Sequence, residues 1–199
     1  MSQRIILASG SEIRQALLKN AGVSFETEKP DTDEQMILAG LQAKAATPPE
    51  IASTLAARKA VSVSRKAPDC LVIGCDQVLE LAGRILTKPA SQNDAIGQLR
   101  ALHGTSHCLF SAIVICENGA PVWRHVGKAR LWMHALSDAY IDDYVADNWG
   151  SIRQSVGAYK LEEQGARLIS RIEGDYFTVL GLPLIELLSY LSDRGTLPR

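Results

Sequence analysis

The sequence predicts an α/β protein built on a mixed sheet. Three observations carry that expectation. Strand and helix patterns interleave without a regular repeat, and two long strand patterns meet at Asn118-Gly119, a two-residue hairpin signal. A short apolar strand, Arg4–Ala8, also runs through Ser9-Gly10-Ser11 straight into a helical pattern.

Each element has its local reason. After the first strand, Ser11 is the candidate helix cap, and Ile13, Ala16, Leu17 and Leu18 follow helical spacing until Gly22 stops the helix. Val23–Glu28 reads as a second strand, Lys29–Glu34 as a polar loop and Gln35–Ala46 as a weak helix. Thr47-Pro48-Pro49-Glu50 combines a capping Thr, first-turn prolines and an acid at the third position, so a helix should run from there to about Lys66. Cys70–Leu81 is an almost continuous apolar strand, and Gly83 turns it into a hairpin that ends at Lys88-Pro89. Ser91 caps a helix over Asp94–Leu102. Thr105–Cys116 and Pro121–Ala135 are the two long hairpin strands. Ser137 caps a helix to about Asp147, a glycine-containing loop covers Ser155–Lys160, Ala166–Ile172 is the last strand, and Pro183 opens a terminal helix ending near Gly195. No repeat or linker interrupts the 199 residues, so residues 1–199 are expected to form one domain.

Composition excludes several function classes. The chain is 46% hydrophobic and 22% charged, and one this long can bury about 70% of its unfolded surface without a staple. With 21 Lys and Arg against 22 Asp and Glu, the net charge of −1 argues against a protein that coats nucleic acid or anionic lipid. The basic and aromatic residues of the hairpin, Trp123, Arg124, His125, Lys128, Arg130 and Trp132, read as a β-ribbon with one apolar face. The apolar run Ile5–Ala8 is too short for a secretion signal, and no run is long enough for a membrane span. A cytoplasmic protein is therefore expected, with Cys70, Cys75, Cys108 and Cys116 reduced and buried. His103 and His107 have zinc-like spacing, but Gly104 and the strand pattern after it argue against a helix carrying both.

Three features break the core pattern. Ser9-Gly10-Ser11 joins a strand to a helix N-terminus, where backbone N–H groups can meet a phosphate and Arg14 could add a forked contact. Asp76 is a carboxylate inside Leu71–Leu79, costly to bury without a partner, and Gly74 just before it permits close approach of another backbone or a ligand. Lys59, Lys88 and Lys160 stand near element ends, and with Arg14, Glu34 and Asp76 they would compose a metal and polyphosphate site.

Taken in order, these segments resemble the Maf family of nucleoside triphosphate pyrophosphatases over nearly the whole chain. The resemblance lies in Leu7-Ala8-Ser9-Gly10-Ser11-Glu12-Ile13-Arg14, Pro30-Asp31-Thr32-Asp33-Glu34, Leu55-Ala56-Ala57-Arg58-Lys59-Ala60, and Gly74-Cys75-Asp76-Gln77-Val78 with Lys88-Pro89. It continues through Gly157-Ala158-Tyr159-Lys160, Ile172-Glu173-Gly174-Asp175-Tyr176 and Gly181-Leu182-Pro183-Leu184. The resemblance implies an elongated, twisted sheet flanked by helices, in two lobes with a central cleft, and a homodimer. It implies hydrolysis of a nucleoside triphosphate to the monophosphate and pyrophosphate, with a divalent cation, Mg²⁺ or Mn²⁺, as cofactor. By position, Asp76 would activate water, Glu34 and Asp76 would hold the cation, and Lys59 and Lys88 would be catalytic cations. Ser9, Ser11 and Arg14 would bind the triphosphate, while Ile13, Gln77 and Glu162 would select the base. Glu12 and Ile13 stand where many members have Pro and Arg. Gln77 and Glu162 resemble the branch acting on 7-methyl-GTP, whereas Gly174-Asp175-Tyr176 resembles the branch acting on dTTP and UTP. Glu162 tips the expectation to 7-methyl-GTP, because a carboxylate can accept from the N1–H and amine of guanine. The weakened opening motif keeps a second reading alive, a nucleotide-binding regulator of cell division without turnover.

Overall fold

The computed structural model describes residues 3–198. Its sheet has seven strands, in the order β2-β1-β3-β5-β6-β7, with β4 added to β3. The strands are β1 (Ile5–Ala8), β2 (Glu26–Thr27), β3 (Leu71–Leu81), β4 (Arg84–Leu86), β5 (Ser106–Glu117), β6 (Ala120–Met133) and β7 (Ile169–Glu173). The helices are α1 (Glu12–Asn20), α2 (Glu34–Ala43), α3 (Pro48–Ser64), α4 (Gln92–Leu102), α5 (Asp138–Ile152), α6 (Tyr176–Val179) and α7 (Leu184–Asp193). β1 pairs parallel with β2 and β3, while β3–β4 and β6–β7 pair antiparallel, so the sheet is mixed as the sequence predicts. Among the described residues, no helix is long and apolar enough to cross a membrane.

The chain divides into two compact units. The first comprises the chain up to Asp76, Ser111–Gly127 and everything from Gly181 on; the second comprises Gln77–Phe110 and Lys128–Leu180. In the first unit, β1 and the front half of β3 are buried throughout, which is why both read as unbroken apolar runs. Ile51, Leu55 and Val63 of α3 and Leu184, Leu187 and Leu191 of α7 add their buried faces to that core. In the second unit one cluster gathers Leu79 and Leu81, Leu99 and Leu102 of α4, Leu131 and Met133 of β6, and Ile141, Tyr144, Val145 and Ile152 of α5. The four cysteines are free and buried, as expected.

Several boundaries move for identifiable reasons. Val23 does not enter a strand: Gly22 turns at φ +72° and the Val23 N–H closes the end of α1 by donating to the Leu18 carbonyl at 3.0 Å. The second strand therefore shrinks to Glu26–Thr27. α5 continues beyond Asp147 to Ile152, because Ile152 extends the buried stripe of Ile141, Tyr144 and Val145. The stretch Gln164–Leu168 is a 3₁₀ turn before β7, and α6 is a short helix whose start is capped by Asp175, which accepts the Thr178 N–H at 2.9 Å. Ser11 occupies the cap position of α1 without a side-chain cap bond; Ser9 Oγ instead accepts the Ser11 N–H at 3.2 Å.

Candidate active site

In the first unit the structure gathers five of the expected residues. The placement begins at Gly74. A Cβ there would lie 2.2 Å from the Ala56 carbonyl oxygen and 2.7 Å from the Ala60 nitrogen, so only glycine lets α3 seat directly on β3. Facing it, α3 carries Ala52, Ala56 and Ala60 at four-residue spacing, each fully buried. Lys59 lies beside that alanine stripe and is carried down to the strand. Its Nζ stands 2.6 Å from Asp76 Oδ1 and 3.1 Å from Glu34 Oε2.

Glu34 arrives by a different device. Asp33 caps α2 by accepting the Met36 N–H at 3.0 Å, which makes Glu34 the first residue of a helix rather than the last of a loop. Lys59 and Asp76 are each only 7% exposed, whereas half of the Glu34 side chain is open to solvent. Burial pushes the Asp76 carboxyl above its ordinary range, and the charge and hydrogen bond of Lys59 pull it back only partly. A buried pair of this kind is weak evidence for stability, because desolvation offsets the attraction. Its value is placement: two carboxylates share one ammonium, so the group keeps a negative charge.

Arg14, on α1, is more tightly bound than a free phosphate ligand would be. Its Nε donates to the Gly181 carbonyl at 2.8 Å, and its Nη1 donates to the Cys75 carbonyl at 3.2 Å and to Ser9 Oγ at 3.4 Å. These bonds tie the Ser9-Gly10-Ser11 turn to the residue preceding Asp76 and leave the Nη2 end of the fork for a ligand. Gly181 sits at φ +89°, and a Cβ there would approach Nη2 to 3.1 Å, so glycine keeps that end open. Gly10 has nothing within 4 Å of a would-be Cβ, leaving open approach over the turn. Ser11 and Ile13 are half-buried beside it.

The second unit carries the remaining expected residues. Lys88 follows β4, is exposed and forms no ion pair among the described residues. Gln77 anchors α6: its Nε2 donates to the Thr178 carbonyl at 3.2 Å and the Val179 carbonyl at 2.9 Å. Glu162 is half-buried in the turn after Tyr159, and desolvation pushes its carboxyl up. Lys160 pairs with Glu163 at 3.1 Å, and Glu163 also accepts from Ser151 Oγ. Sequence reasoning missed Gly165, where a Cβ would lie 2.3 Å from the Lys160 carbonyl oxygen; a glycine directly after two acids and a glutamine was the available signal.

No group of three His, Cys, Asp or Glu side chains stands close enough to hold a metal by itself among the described residues. Glu34 and Asp76 still suit Mg²⁺ or Mn²⁺, since Mg²⁺ takes one or two carboxylates and completes its shell with water and substrate phosphates. His107 lies on β5, and its Nε2 stands 2.7 Å from the Tyr159 hydroxyl.

A mixed α/β fold with buried carboxylate, paired acid and partly free arginine defines a protein built to handle a small anionic ligand. The chain belongs to the Maf-like protein family, whose model matches residues 4–194. It is 60% identical to a nucleoside triphosphate pyrophosphatase of Roseobacter denitrificans, over the full length of both chains. It is 54% identical to a nucleoside triphosphate pyrophosphatase of Ruegeria pomeroyi, over 99% of each chain. A 7-methyl-GTP pyrophosphatase of Rhizobium etli is 44% identical, again over 99% of each chain.

Proposed function

We propose that this protein hydrolyses a nucleoside triphosphate to the monophosphate and pyrophosphate, with Asp76 as the base. The observation that carries this reading is the Glu34–Lys59–Asp76 group, in which a buried carboxylate of raised pKa stands against a lysine and a second acid. Relatives bearing that activity's name match the chain end to end. In the proposed step Asp76 takes a proton from water while the water oxygen bonds to phosphorus. The bridge between the α and β phosphates breaks, and the electron pair leaves with one phosphate product. A divalent cation held by Glu34 and Asp76 would neutralise charge on the phosphates. Lys59 and Arg14 would add fixed positive charge, and the Ser9-Gly10-Ser11 turn would offer backbone N–H groups. Lys88, Ile13 and Gln77 keep the roles that the family resemblance implies, Lys88 toward the triphosphate and the other two toward the base. We also expect a cytoplasmic homodimer.

Within this reaction we favour 7-methyl-GTP over dTTP and UTP. The half-buried Glu162 carboxylate takes a hydrogen bond from its own backbone N–H and feels the charge of Lys160, and a carboxylate there has acceptor capacity for the paired donors of a guanine edge. The test is a panel of ordinary and methylated triphosphates with Mg²⁺ or Mn²⁺, following monophosphate and pyrophosphate together. The expected result is stoichiometric release of both, fastest from 7-methyl-GTP. Tight binding without product would overturn the enzyme reading in favour of a nucleotide-binding regulator, and a preference for UTP would overturn the base assignment. Glu34→Gln is expected to raise the metal concentration for half-maximal rate about tenfold or more. A metal titration of the rate checks it, and an unchanged midpoint would remove Glu34 from the metal site.

A further inference from the structure

One buried titratable group has no part in that chemistry. His107, on β5, is 2% exposed, and burial pushes its pKa down to about 4, so it is neutral at physiological pH. Its Nε2 meets the Tyr159 hydroxyl at 2.7 Å and its ring lies edge-on to the Tyr159 ring, 5.6 Å between centroids. Tyr159 is itself buried, and its phenol is held protonated. The bond leaves the other ring nitrogen of His107, Nδ1, buried without a hydrogen-bond partner. A buried pair of this kind adds little net stability over an apolar one, so the bond calls for another explanation.

That explanation is the backbone on either side of Tyr159. Gly157 and Ala158 both lie in the left-handed region, at φ +78° and +58°. For alanine this conformation costs about 1–3 kcal/mol and persists only where the surroundings enforce it. A Cβ on Gly157 would strike Leu79 Cδ1 at 2.5 Å, so the loop is pressed onto the core. Beyond Tyr159 the Lys160 backbone bonds to the buried Tyr144 hydroxyl, and Gly165 folds tightly back onto Lys160. Lys160 and Ser151 both engage Glu163. The chain around Glu162 is thus tied down, and the Glu162 carboxylate itself takes a hydrogen bond from its own backbone N–H.

We propose that His107 is a positioning residue: through the Tyr159 hydroxyl it fixes the loop from Gly157 to Gly165 and so sets the carboxylate of Glu162 that reads the base. The inference rests on the pyrophosphatase reading and on the role of Glu162 in it. His107 touches neither substrate nor the reacting atoms, so it acts on base discrimination and not on hydrolysis itself.

The test compares the wild type with Tyr159→Phe, His107→Gln and the double variant His107→Phe, Tyr159→Phe. The double variant leaves no orphaned polar group and should fold. It is expected to exchange the amides of residues 156–165 about tenfold faster, with α5 unchanged, and to lose about tenfold in kcat/KM discrimination between guanine and pyrimidine triphosphates. The loss should fall on KM, with kcat within about twofold. His107→Gln, which can still bond the hydroxyl, should keep most of the discrimination. Wild-type exchange and discrimination in the double variant would overturn the proposal, as would an equal fall in kcat for every substrate. If the wild type turns over no triphosphate at all, the pyrophosphatase reading fails, and unchanged amide exchange would separately overturn the loop-fixing role.

Discussion

Asp76→Asn is expected to lower kcat for triphosphate hydrolysis about 10²–10⁴-fold, the usual contribution of a positioned general base. Asparagine keeps the size of the side chain and can still accept a hydrogen bond from Lys59, so the loss should appear with little change in substrate KM. Steady-state kinetics with one triphosphate checks it, and full activity in the variant would remove Asp76 from the role. The pH dependence carries a second signature. Hydrolysis needs the ionised carboxylate, and burial holds the Asp76 pKa above its ordinary value of 3.8. The acid limb of kcat/KM should therefore lie above the ordinary carboxylate range, and Lys59→Met, which removes the charge that pulls the pKa down, should move it higher still. Stability follows with the opposite sense to a surface aspartate. In the window between the unfolded and the raised folded pKa, the native state holds more protons than the unfolded one. The contribution of Asp76 to folding is thus fully present below the unfolded value and is lost as pH rises through the folded one. Melting of the wild type relative to Asp76→Asn should decline across that window.

How far the sequence anticipated this site differs from residue to residue. Local signals translated directly. The Glu50 carboxylate accepts the Thr47 N–H at 2.8 Å in the box that opens α3, and Asn118 and Gly119 both take the positive φ that a hairpin turn of that type requires. Asp76 stood out because a carboxylate breaks an apolar strand. Lys59 was legible as a candidate cation, but its burial was not, since its neighbours Arg58 and Lys66 give it the look of one more solvated cation on a helix. Its burial depends on the seat at Gly74 and on the alanines of α3, both of which require knowing that helix and strand touch. Ala166–Leu168, expected to open the last strand, differs for the same reason. Its apolar residues suit a strand, but the closure of Gly165 onto Lys160 selects a tight turn. At Arg14 the chemistry suggests a phosphate ligand, and the structure adds what the sequence does not show, a guanidinium that also binds Gly181, Cys75 and Ser9 together.

Gly74→Ala should damage both the fold and the site through a single methyl group. The added Cβ meets the Ala56 carbonyl oxygen at 2.2 Å and the Ala60 nitrogen at 2.7 Å, both main-chain atoms of a regular helix that cannot rotate aside. Strand and helix must separate. Overpacking of this kind costs about 1–3 kcal/mol and sometimes more, which for a chain of this size corresponds to a fall in melting temperature of roughly 2–12 °C. Activity should fall further than stability. The same displacement draws Lys59 away from Asp76, and a shift of about 1 Å at a catalytic group can cost roughly 10²-fold. Ala60→Gly should not rescue the variant, because it removes only the third contact, a Cβ at 2.8 Å, and leaves the carbonyl and the nitrogen in place. The matched control is Gly97→Ala on the exposed face of α4, where a Cβ meets nothing within 4 Å. There the same substitution removes a flexible residue from a helix interior and should stabilise the fold by about 0.5–1 kcal/mol without touching turnover. Thermal melts and kinetics on the two variants separate the explanations. Opposite signs in melting temperature, with activity lost only at position 74, are expected from a helix seated on the strand. A Gly74→Ala protein that melts and turns over like the wild type would mean that Lys59 reaches Asp76 by some other support.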